Sequence, residues 1–149
     1  MAQPGAQQEQ VGTARGIPED NKKADSMAQK RVLLIGIDPA LVDFSPVRGL
    51  DAERVRAAGD EATAALEALG HEVQTCVVGR GETAESVVRE TLSQQPYDCV
   101  MIGAGLRARI EETLVFERVM NVVHEQAPSA KLCFNTHPAT TAEAVLRWL

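Results

Sequence analysis

The run Arg31-Val-Leu-Leu-Ile-Gly-Ile37 is apolar after its first residue, with no polar alternation. A strand with one face in water alternates apolar and polar side chains, so this run belongs to a strand covered on both faces. Such strands occur almost only in parallel sheets flanked by helices, and each parallel pair needs a crossover connection. The remaining sequence supplies both parts. Glu72 to Val78, Asp98 to Ile102 and Lys131 to Asn135 read as three further strands. A helix is predicted from the N-cap Asp51 to about Leu69, with Val55, Ala58, Ala62, Leu66 and Leu69 as its apolar stripe and Gly70 as its stop. A second runs from Thr83 to about Gln94, ended by Pro96. A third covers about Ile110 to Gln126, and a last one starts at Thr140, paired with Glu143 in a capping box, and continues to Leu149.

Strand and helix therefore alternate four times. Right-handed crossovers then give an α/β three-layer sandwich with a four-stranded parallel sheet of order 2-1-3-4 and helices on both faces. In such sheets ligands bind beyond the carboxyl ends of the strands, where strand order reverses. Here that point lies between strands one and three.

Residues 1–29 hold few large apolar side chains and no hydrophobic period, so they are expected to form a disordered tail ahead of a single domain over 30–149. Met27, just before the first strand, is a candidate natural start. The tail lacks the basic start and apolar run of a secretory signal. No apolar run approaches the ~20 residues of a membrane span. The chain carries 15 Lys and Arg against 21 Asp and Glu, a formal −6. An acidic chain without a basic cluster is a poor match for nucleic acid. Cys76, Cys99 and Cys133 lie in or at the start of predicted strands, at no metal-binding spacing, and are expected in the core of a cytoplasmic, reduced protein.

The strand ends hold the candidate site. Asp38 closes strand one, Gly103-Ala-Gly105-Leu-Arg107 follows strand three, and Asn135-Thr136-His137-Pro138 follows strand four. Gly103-x-Gly105-x-x-Ala108 has the spacing of the dinucleotide fingerprint but follows strand three rather than strand one, so a nicotinamide cofactor is not expected. Glycines there let backbone N–H groups approach an anion, and Arg107 or Arg109 would add a guanidinium contact. Asp38 and His137 suit acid–base or hydrogen-bonding roles. The 13 residues from 38 to 50 exceed the usual two to six of such a connection, which marks Phe44 and Val47 as candidate lid residues. Three scattered histidines make no metal site. With one Trp, one Tyr and three Phe, few rings are available to sandwich a flavin. No cofactor is expected.

The element order, with Asp38 near the end of strand one and Thr136 after strand four, resembles the flavodoxin-like superfamily, and most specifically the receiver domains of response regulators. It is also similar to small bacterial proteins of this architecture that carry no assigned activity. The resemblance covers about residues 30–149 and implies the fold. Receivers carry a phospho-accepting Asp after strand three, where this chain has Gly103, and an acidic pair, a fifth strand and a Lys that it lacks. Phosphoryl acceptance is therefore not implied.

No motif names a reaction. The leading expectation is a non-catalytic or regulatory module that binds a small anionic ligand or a protein partner at the strand-end face. One alternative is a small enzyme using Asp38 and His137 in acid–base roles, with Arg107 orienting an anionic substrate. Another is a structural homo-oligomer without a ligand. The third helix carries apolar residues over an arc of about 160° at ~100° per residue, wider than one covered face requires. Phe116 and Met120, near the edge of that arc, are the expected contact pair of a dimer.

Overall fold

A computed structural model describes residues 28–81 and 83–149. The expected tail lies almost wholly outside these residues. Four strands, β1 (Arg31–Ile37), β2 (Glu72–Val78), β3 (Cys99–Ile102) and β4 (Lys131–Phe134), form one parallel sheet of order β2-β1-β3-β4. Four α-helices connect or follow them: α1 (Ala52–Ala68), α2 (Thr83–Gln94), α3 (Thr113–Gln126) and α4 (Thr141–Leu146). This is the predicted α/β architecture and strand order. No helix among the described residues is long and apolar enough to cross a membrane.

Local chemistry sets the boundaries. Asp51 caps α1 by accepting the Arg54 N–H at 2.8 Å, and Gly70 follows the helix at φ +92°, where an L side chain is strained. Gly81, at φ +97°, turns the chain into α2. The end of the chain departs from expectation. Thr140 and Glu143 form no capping box, because the chain first makes a 3-10 turn over Pro138–Thr140. The reciprocal cap belongs to that turn. His137 Nδ1 accepts the Ala139 N–H at 3.1 Å, while Thr140 Oγ1 receives the His137 N–H at 3.3 Å. Pro138, which lacks an N–H, occupies the first position of this turn, where none is needed. α4 ends at Leu146 rather than Leu149.

Alternation along the strands divides the core. Leu33, Ile35 and Ile37 face α2 and α3, within a cluster of sixteen buried residues that includes Val88, Val119 and Val123. Val32 and Leu34 face the other way, toward α1 and α4, within a cluster of only eight that includes Leu66, Met101, Ala144 and Val145. All three cysteines are buried and free. Cys99 and Cys133 approach with Sγ atoms 3.6 Å apart, and their hydrogen bond together with burial pushes the Cys99 thiol up, out of the reactive range.

The thinner face is thin for a reason visible in α1. Of its 17 residues only Ala62 and Leu66 are buried, both in its second half. Val55 and Ala58 are half-buried, and Leu69, expected on the stripe, is exposed. The first half of the helix stands away from the sheet.

Candidate functional site

The space under the raised half of α1 is a cavity of about 840 Å³ at the carboxyl ends of the strands. Its wall is mainly apolar. Leu34, Gly36 and Met101 form the floor, Val55 and Gly59 the helix side, and Phe44, Pro46, Val47 and Leu50 of the long loop the cover. Both candidate lid residues therefore border it, Phe44 half-buried and Val47 exposed. The loop is shaped by short local bonds. Asp43 Oδ1 accepts the Ser45 N–H at 3.0 Å, and the Val47 N–H donates to the Phe44 carbonyl at 2.9 Å. The bonds from Ser45 hold the Asp43 carboxyl below its ordinary value of 3.8, and the charge of Arg109 lowers it further.

Two glycines keep the cavity open. On β1 the inward positions of this face run Val32, Leu34, Gly36, by the period-two alternation of a strand. On α1, positions 55, 59, 62 and 66 fall within an arc of about 60° at ~100° per residue, so Gly59 belongs to the inward stripe, at its edge. A methyl group built on either glycine meets no heavy atom within 4 Å. Sequence reading chose Ala58 for that stripe and passed over Gly59. The available signal was a residue without a side chain at a position whose neighbours at i−4, i+3 and i+7 are Val, Ala and Leu.

The two glycines after β3 behave in the opposite way. At Gly105 an added Cβ would lie 2.8 Å from Ile37 Cγ2, and at Gly103 it would lie 3.3 Å from the Ile35 carbonyl oxygen. They let the 3-10 turn Ala104–Leu106 settle directly on β1. Two of the donors at its start are already engaged. Gly103 N–H donates to the Ile35 carbonyl at 2.8 Å and Ala104 N–H to Asn135 Oδ1 at 2.8 Å. The expected anion cradle is thus a packed turn, although Gly103 and Gly105 do border the cavity.

Asp38, Asn135 and Thr136 also line the cavity, whereas Arg107 and His137 do not. Asp38 Oδ1 accepts the Ala40 N–H at 2.9 Å and lies 3.8 Å from Arg56. Asn135, buried, holds three elements together: its Oδ1 takes Ala104 N–H and its Nδ2 donates to Thr141 Oγ1 at 2.9 Å. Arg107 donates to the Asn135 carbonyl and lies over the Phe134 ring, 5.4 Å from its centroid. Its guanidinium is exposed, with one hydrogen bond to the protein. His137 is exposed, with Nδ1 engaged in its own turn. The Asp38, His137 and Arg107 constellation is therefore not assembled around the cavity.

A carboxylate that sequence reading missed lies at one end. Glu112, 2 % exposed, accepts from Arg80 at Oε1 from both Nε (2.9 Å) and a terminal nitrogen (2.8 Å), while its Oε2 is covered and has no partner among the described residues. Along the sequence Glu112 is one of two adjacent acids at a helix start, a place where exposed acids are ordinary, so nothing marked it. On α3, Phe116 and Met120 are half-buried against the core, and Phe116 makes a tilted ring contact with Phe134 at 6.3 Å. The exposed apolar residues in this region are Leu114 on α3 and Ile110 in the turn before it.

No protein-family model matches the sequence, and no curated protein does either.

Proposed function

We propose that this protein is a non-catalytic α/β module that binds a small molecule in the cavity under α1, at the carboxyl ends of its strands. One observation carries the reading: a mainly apolar space of about 840 Å³, kept open by Gly36 and Gly59, at the point where strand order reverses. A space of this size matches sites that enclose drug-sized ligands, roughly 300–1,000 Å³. The expected anion contacts carry less of the reading, because Arg107 lies outside the cavity and the Gly103 and Ala104 N–H groups are already bonded within the protein. Support for acid–base chemistry by Asp38 and His137 falls away with His137 outside the cavity.

The test is a fragment screen followed by amide correlation spectra. Hits are expected to shift Gly36, Gly59 and the 38–50 loop together. Gly59→Leu, which fills the space from the helix side, should abolish those shifts and preserve the far-ultraviolet circular dichroism. Hits confined to another surface, or retained in Gly59→Leu, would refute the proposal.

A further inference from the structure

We infer that the occupant of this cavity is an organic cation, a protonated amine carried on a flat and mainly apolar ring. The inference rests on the proposed function and adds the chemistry of the ligand. Shape is the first support. Gly36 and Gly59 occupy inward positions on a strand and on the helix above the same cavity, and the space before each is open. Bare backbone from the strand and from the helix borders this space, which leaves room for a planar ring.

Charge is the second. Asp38, Asp43, Asp60 and Glu112 stand in the wall against Arg56 and Arg109, an excess of two carboxylates. Adding the partners just outside, Arg80 for Glu112 and Glu111 for Arg109, leaves that excess unchanged. Some of this acceptor capacity is unused. Asp38 engages Ala40 and Arg56 through the same oxygen, and Glu112 keeps a covered oxygen without a partner among the described residues. An anion would add to the excess and a neutral ring would leave it. An ammonium offsets it through charge-assisted hydrogen bonds, which gain strength beside apolar walls. Among the described residues no three His, Cys, Asp or Glu side chains are grouped to hold a metal ion, so the wall suits an organic cation better than a bare metal. Asp38 and Asp60 both border the cavity onto which the two glycines open, which puts negative charge at its edge.

Three indoles of similar size separate the possibilities: tryptamine (cation), tryptophol (neutral) and indole-3-propionate (anion). Each is titrated into the full chain, with the Gly36 and Gly59 amides as reporters. Tryptamine should bind about tenfold tighter than tryptophol, the effect of one added charge-assisted contact, and indole-3-propionate should bind weakest. In Asp38→Asn/Asp60→Asn, tryptamine should fall to the level of tryptophol while tryptophol is unchanged. Asn caps a turn as well as Asp does, and Asp60 is exposed, so the fold is expected to persist. The wild-type ranking decides the matter even if the variant does not fold. Indole-3-propionate binding as tightly as tryptamine at the same amides would overturn the cation and spare the cavity reading. So would a folded double variant that binds tryptamine unchanged. Failure of all three to move those amides would overturn both.

Discussion

Gly59→Ala should make this protein more stable, which is unusual for a residue at an inward position of a helix. The magnitude follows from two terms. Glycine in a helix interior costs roughly 0.8–1.0 kcal/mol relative to alanine. The steric term that normally opposes such a change is absent, because the new methyl meets nothing within 4 Å and Gly59 is not among the glycines with positive φ. The expected gain is therefore about 1 kcal/mol, a rise in Tm of roughly 3–6 °C for a domain of this size. Thermal unfolding followed by circular dichroism at 222 nm measures it, with urea unfolding as a check that the slope is unchanged. A fall in Tm would refute the reasoning at its root. It would mean that α1 lies against β1 in solution, that the methyl has nowhere to go, and that the cavity is closed.

Gly105→Ala should have the opposite sign, losing about 1–3 kcal/mol, because its methyl would be driven to 2.8 Å from the buried Ile37 side chain; a neutral result in urea unfolding would show that the turn after β3 is loosely seated. Arg80→Ala strips the only partner of buried Glu112 among the described residues and should cost about 3 kcal/mol, with Arg80→Ala/Glu112→Gln recovering part of the loss. Failure of the double variant to recover any stability would argue against the pairing. For Asp43 the folded carboxyl titrates below its ordinary 3.8, so its stabilising contribution is present above that value and fades as pH falls through the lower folded value. Asp43→Asn should flatten the acid limb of a stability–pH profile, and an unchanged limb would exclude the contribution.

The sheet was legible because its strands are written without ambiguity. The runs 31–37 and 72–78 were bounded correctly, and the two others within one residue: 31–37 is an almost unbroken apolar segment, and 72–78, more polar, is framed by Gly70 and Gly79. The cap at Asp51 and the stop at Gly70 were equally plain. What failed was the reading of long side chains and of empty positions. Arg107 looked free beside two glycines, but its direction is decided by the Phe134 ring and the Asn135 carbonyl, 27 and 28 positions further on. Glu112 looked solvated, but Arg80 draws it into the interior. At the last helix, two cap patterns one turn apart competed, and Pro138 favoured the earlier. The site itself was legible only as an edge of the sheet, because a cavity is a property of what is missing, and hydrophobic periodicity counts only what is present.

The uneven seating of α1 also has a mechanical consequence. A helix whose only buried residues, Ala62 and Leu66, lie in its second half, with its first ten residues at most half-buried, acts as a cantilever, with its fulcrum at the second half and its lightly held end joined to the 38–50 loop. A small tilt about that fulcrum is multiplied at the free end, since each residue beyond it adds about 1.5 Å of arm. Volume under the helix can then change while the sheet, the register of its strands and the larger core on the opposite face stay as they are. Occupancy of the space would be read out at Asp51 and in the loop before it, some fifteen residues along the chain from the anchoring Leu66, as a displacement larger than anything occurring at the floor.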